Sequence, residues 1–250
     1  MKRLIIITLL LFAGWQMQAQ SDEIPERLLQ MEQQVAEGHL SDNEMFRQYN
    51  TLMLDYATRD FQKTLFYFDK AVAFAREKKN VAEEANFFTS IGDIYSMLGV
   101  KDSVFVYLDK ALKLIEGKEH YGAECRLCKA RGNAYYDLGD HENALEAYLK
   151  SIELNEIDKK QKLAHQQNID RNLQEEGAIL NNIASIYGQL YNADKQIEYL
   201  MQSIKIIEDN PSVVFKHEQN TIRNLAVAFL NTGQFDKAFP LIERSYKLAS

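Results

Sequence analysis

This sequence is short of the residues that staple, stiffen or metallate a fold. With 2 cysteines in 250 residues it cannot form a disulfide framework. Only 3 prolines and 11 glycines are present, which excludes collagen-like and Pro/Gly-driven disordered chains. Basic side chains are outnumbered, 29 Lys and Arg against 36 Asp and Glu, for a net charge of −7. Such a chain lacks the electrostatic footprint that a phosphate backbone requires, so nucleic acid is not an expected partner. Also missing are HExxH, GxSxG, a phosphate-binding loop and GxGxxG, and no enzyme is expected. What remains is 46% apolar and 26% charged, the balance of a chain that buries a core.

The one long apolar run is at the start. Lys2 and Arg3 precede Leu4 to Ala13, and a polar stretch, Gln16 to Gln20, follows. A basic flank, a short apolar stretch and a polar end make the layout of a secretory signal peptide over residues 1–20. The run falls well short of the roughly 20 residues that span a bilayer. The expected product is exported, periplasmic or secreted, starts near Ser21 and keeps no membrane span after cleavage.

Past Ser21, apolar residues recur at three- and four-residue spacings, as in Ile91, Ile94, Tyr95 and Leu98, which is helical periodicity. Pro25 and Gly38 bracket a first helix near 25–38, and Ser41 with Glu44 has capping-box spacing. The helices repeat. Tyr95 to Tyr135 and Gly99 to Gly139 are each 40 residues, and Ala71, Ala111 and Ser151 keep that step. Tyr135 to Tyr187 is 52 and Tyr187 to Phe229 is 42, and Ser151, Ser203 and Ser245 move by the same amounts. Landmarks in two different helices keeping phase indicate a true repeat. The long step places twelve extra residues within 155–176, a hydrophilic stretch that would lengthen helices or project as solvated ends. Pro240 would kink or delay the last helix.

In the clearest copy Gly132 is the small position that admits a neighbouring helix and Tyr135 fills the next turn. Gly139 ends the first helix, and Ala144, Tyr148 and Ser151 form the inward stripe of the second. This pattern resembles the tetratricopeptide repeat, although the 40-residue step exceeds that family's roughly 34. Gly92, Tyr95, Leu98, Gly99, Leu108 and Ala111 match it again, as do Ala226, Phe229, Gly233, Ala238 and Ser245. One copy departs, with Ala184 in the small position and Tyr191 where the turn glycine belongs. The resemblance implies an all-α fold, a right-handed α-solenoid of stacked antiparallel helix pairs. The approximate units are 43–80, 81–119, 120–160, 172–210 and 212–250. It also implies a non-enzymatic scaffold whose concave groove binds a protein or an extended peptide, with no cofactor or metal. An extracytoplasmic sensor within a signalling system is the alternative role.

The first helix of each pair lines that groove. Its polar face carries Asn86 and Asp93, then Arg126, Lys129, Asn133 and Tyr136. Later units add Asn181, Asn182, Ser185 and Gln189, then Asn220, Arg223 and Asn224. Asparagine amides bond both groups of a peptide backbone, and a lysine or arginine holds a carboxylate. Lys129, Asn133 and Asn182 resemble part of the clamp with which some members of the family grip an acidic C-terminal tail. Asn220 and Asn224 stand where that clamp has basic residues. Two further expectations concern other features. Cys125 and Cys128 offer a thiol-redox alternative, against which Cys128 is read as a core residue packed one turn before Gly132. The last helix carries Phe239, Leu241, Ile242, Tyr246 and Leu248, apolar enough to self-associate.

Overall fold

The computed structural model describes residues 24–248. Among these residues there are eleven helices and no strand: α1 (Glu26–Glu37), α2 (Asp42–Tyr56), α3 (Phe61–Glu77), α4 (Val81–Met97), α5 (Lys101–Ile115), α6 (Tyr121–Asp137), α7 (His141–Ala164), α8 (Asp170–Gln189), α9 (Ala193–Asp209), α10 (Glu218–Asn231) and α11 (Phe235–Lys247). The fold is an all-α solenoid of antiparallel helix pairs joined by short turns. The leader, residues 1–20, lies outside the described residues.

Local chemistry sets the helix ends in repeat phase. Ser41 and Glu44 form a complete capping box at the start of α2. Asp60, Asp140 and Asn192 each accept a hydrogen bond from the backbone N–H three residues on, opening the second helix of three pairs. The turns inside the pairs are left-handed at one shared position. Gly99, Gly139 and Gly233 have φ of 74°, 76° and 73°, and Tyr191 adopts the same turn at 55°. The missing glycine therefore leaves the turn unchanged and places a tyrosine under backbone strain.

The chain divides into two compact units, with the boundary between Phe87 and Phe88 inside α4. In the first, α2 packs on both α1 and α3. Phe46 and Phe74 meet edge to face with centroids 5.2 Å apart, and Leu52, Met53, Ala71 and Ala75 are buried in the same unit. Glu32 on α1 accepts from Lys63 Nζ at 2.7 Å and from the Tyr67 hydroxyl at 2.8 Å, fastening α1 to α3.

The second unit shows why landmarks recur. The Ser151 hydroxyl donates to the Cys125 carbonyl at 2.7 Å, and 52 residues on the Ser203 hydroxyl donates to the Gly177 carbonyl at 2.9 Å. Tyr95 stacks on Tyr107 with centroids 5.2 Å apart, and Tyr187 stacks on Tyr199 at 5.5 Å. Tyr95 and Tyr187 thus fill equivalent places, while Tyr135 packs on Phe105 with centroids 5.0 Å apart. Gly132 lets α7 approach α6, since a Cβ there would stand 2.6 Å from the Tyr148 ring. Ala144, Tyr148 and Ser151 are buried, as the inward stripe requires.

Three expectations need correction or refinement. The extra residues of the long step lengthen α7 to 24 residues and α8 to 20, the first of the two readings. The ends of the lengthened helices are solvated as expected, but part of the added surface is buried. Asn155 and Asn172 are buried, the Asn155 amide donating to the Asn172 carbonyl and the Asn172 amide to Asn155 Oδ1, each at 3.0 Å. Lys159 bonds Glu176 at 2.8 Å beside them, while Lys160, Gln161, Leu163 to Asn168, Asp170 and Arg171 are exposed. Polar groups this far from water are retained because each one is paired. Pro240 does not delay α11, which begins five residues earlier at Phe235. Finally, Cys125 and not Cys128 is the fully buried thiol. Cys128 is only partly covered, because it sits at the margin of the cluster around Tyr148 and Ile183 that encloses Cys125.

Candidate functional site

The first helices of successive pairs, α4, α6 and α8, present one face to a common cavity of about 350 Å³ in the second unit. That volume lies in the range of small-ligand pockets, about 300–1,000 Å³. From α6 come Asn133, Tyr136 and Asp137, and α8 supplies Asn182 and Ser185. The last turns of α4 contribute Asp93, Ser96 and Met97. Side chains three and four apart share a helix face, which is why one helix places Asn133, Tyr136 and Asp137 at the same opening.

At the base, Asn133 Oδ1 accepts from the Tyr148 hydroxyl at 2.7 Å and from Asn182 Nδ2 at 3.0 Å. Both lone pairs of that oxygen are used. The Asn133 amide N–H₂ and the Asn182 carbonyl oxygen are left to the cavity, a donor and an acceptor side by side. Nearer the rim, Gln189 Nε2 donates to the Tyr136 hydroxyl at 2.5 Å, and Ser96 Oγ donates to Asp137 Oδ2 at 2.7 Å. Burial raises the pKa of both phenols, so Tyr136 and Tyr148 are neutral donors at neutral pH. Asp93 accepts no hydrogen bond among the described residues. Burial raises its pKa above the ordinary 3.8, against the pull of Arg126 and Lys129 and with the push of Glu175.

Asp93, Asn133, Tyr136, Asn182 and Ser185 are therefore brought together as the sequence suggested. The two cations are not free to join them. Lys129 donates to the Glu175 carboxylate across α6 and α8, Arg126 Nη2 donates to Ser90 Oγ at 2.5 Å, and neither side chain lines the cavity. Asn224 Nδ2 donates to Asn181 Oδ1 at 3.2 Å, joining α10 to α8 away from the cavity. Asn220 and Arg223 are exposed on α10. Asn86 is buried in the first unit. Sequence reasoning missed Tyr148, Ser96, Met97 and Asp137. Tyr148 was assigned to the core, where its ring does lie, but its hydroxyl reaches through to Asn133.

Burial raises the thiol pKa of Cys125 and pushes Cys128 up to about 11, which favours the protonated thiol at both positions. Among the described residues no three His, Cys, Asp or Glu side chains converge to hold a metal ion. None of the described helices is long and apolar enough to cross a membrane.

Tetratricopeptide-repeat family models match residues 126–158 and 178–210. No curated protein sequence matches the chain. Among solved structures, BtubC (BKLC) from P. vanneervenii is 17% identical with a TM-score of 0.64, over 88% of this chain and 91% of that one. RapI in its apo form is 17% identical at a TM-score of 0.62, over 82% of this chain and 70% of its own. NprR, solved in complex with its cognate peptide NprX, is 17% identical at 0.56, over 98% of this chain and 66% of its own. At these identities the likeness concerns the fold, and within that fold residues 126–158 and 178–210 are tetratricopeptide repeats.

Proposed function

We propose that this chain is an exported, non-enzymatic interaction module that holds an extended peptide segment of a partner in the cavity of α4, α6 and α8. The observation that carries the reading is the Asn133–Asn182 pair. One oxygen is saturated by internal bonds, so an amide N–H₂ and a carbonyl oxygen stay available side by side, the complement of one peptide unit. NprR, which shares the fold, was solved with a peptide bound, and this supports the analogy. Export rests on the Lys2, Arg3 and Leu4 to Ala13 leader pattern. Self-association through α11, where Phe239 and Tyr246 are exposed, belongs to the same proposal, and a concentration-dependent mass in light scattering tests it.

The test is an array of immobilised random 15-residue peptides probed with the purified chain and with its Asn133→Ala and Asn182→Ala variants. Circular dichroism on each variant checks that the helices persist. The proposal expects a bound subset that both substitutions lose. Peptides that bind all three proteins equally, or an array that stays blank, would overturn it.

A further inference from the structure

The charge around the cavity is arranged for a cation. Resting on the peptide-binding reading above, we infer that the cavity recognises a basic group of the bound peptide, a lysine or arginine side chain or a free N-terminal amine, and not an acidic tail. Two cations stand near, but neither lines the cavity: Lys129 is paired with Glu175, and Arg126, which keeps its charge while donating to Ser90, acts on Asp93 through its field. Two carboxylates do face the cavity, Asp93 and Asp137. Asp93 accepts no hydrogen bond from a described residue, and Asp137 accepts one, from Ser96 through Oδ2. An incoming carboxylate would meet two carboxyl groups and find no cation in the cavity lining to receive it. An ammonium or guanidinium would instead find carboxylate oxygens ready to accept, as charge-assisted bonds require.

The neighbouring atoms suit the same ligand. Met97 lies against the opening, 57% exposed, and offers an apolar rest for the methylene stem of a lysine or arginine. Burial already disfavours the charged form of Asp93 in the empty cavity. A carboxylate held in that state gains most from a positive partner, since the ligand removes the cost of leaving it unpaired.

The experiment uses four fluorescently labelled hexapeptide pools, with one position fixed as Lys, Arg, Glu or Ala, titrated onto the purified chain by fluorescence polarisation. The Lys and Arg pools are expected to bind at least about tenfold more tightly than the Glu pool. Asp93→Asn and Asp137→Asn should each remove most of that preference, read as a fall in the ratio of Lys-pool to Ala-pool affinity. A preference for the Glu pool that Asn133→Ala abolishes would overturn this inference and leave the peptide-binding reading standing. A Lys preference untouched by both aspartate substitutions would also overturn it. No binding by any pool would overturn the inference and the reading together.

Discussion

Glu175 on α8 accepts the Lys129 ammonium of α6, each side chain only 21% exposed, and this ion pair ties the two helices together. Burial raises the Glu175 pKa, but Lys129, with Arg171 and Arg126 adding to it, holds the value below the ordinary 4.5. Removing one partner strands the other. The expected cost of Lys129→Ala lies between the about 1 kcal/mol of exposed pairs and the about 3–5 kcal/mol of fully buried ones, so about 2 kcal/mol. Lys129→Met with Glu175→Leu should recover most of it. Because the folded pKa of Glu175 is depressed, its contribution is complete above pH 4.5 and is lost as pH falls through the folded value. Urea denaturation of the three proteins at pH 7 and pH 4 checks both points.

Asp93 carries the opposite sign. Its folded pKa is raised, so the ionised group costs stability above that value, and the cost disappears below the ordinary 3.8, where both states are protonated. Asp93→Asn should therefore raise the Tm at pH 7 and lose that advantage as pH falls toward 3.8. Calorimetry across this range reads it. A residue whose removal stabilises the protein while weakening ligand capture is what a binding site leaves behind.

Tyr191 adopts the turn that Gly139 adopts, at φ of 55° against 76°, and its side chain is 96% exposed. It gives no burial in return for the strain. Tyr191→Gly should stabilise the fold by about 1 kcal/mol, and Gly139→Ala should destabilise it by a similar amount. Thermal melts of the two variants measure it.

Gly132 has no room for a methyl group, with the Tyr148 ring 2.6 Å from where a Cβ would stand. Gly132→Ala must move Tyr148 or its helix, at a cost of about 1–3 kcal/mol. The shift would also pull the Tyr148 hydroxyl from Asn133 Oδ1, so peptide capture should weaken along with the Tm. A stability curve and a polarisation titration on the same sample separate the two effects.

The repeat was legible because packing forces the same residue into the same place. Tyr95 and Tyr187 stack alike, Ser151 and Ser203 make the same bond, and Gly92 and Gly132 meet the side chain of the paired helix alike. Much of the cavity was legible too, because Asn133, Tyr136, Asn182 and Ser185 lie on faces that period 3.6 predicts. Lys129 was not, since its partner lies 46 residues away within the lengthened part of the array, where the regular spacing no longer indicates which residues meet. Asp137 and Met97 sit at helix ends, where turn chemistry masks a side chain aimed into the groove. The hydrophilic run after Asn155 read as solvated because sequence cannot show that Asn155 and Asn172 satisfy one another.

The most direct measurement is an NMR titration of the purified chain with the Lys-containing peptide pool, following the side-chain amide signals of Asn133 and Asn182. Both N–H₂ pairs should shift together and saturate, and the Asp93→Asn protein should need at least about tenfold more peptide to reach the same shift. Saturable shifts confined to α11 or to Asn220 and Arg223, with the Asn133 and Asn182 amides unmoved, would contradict the account.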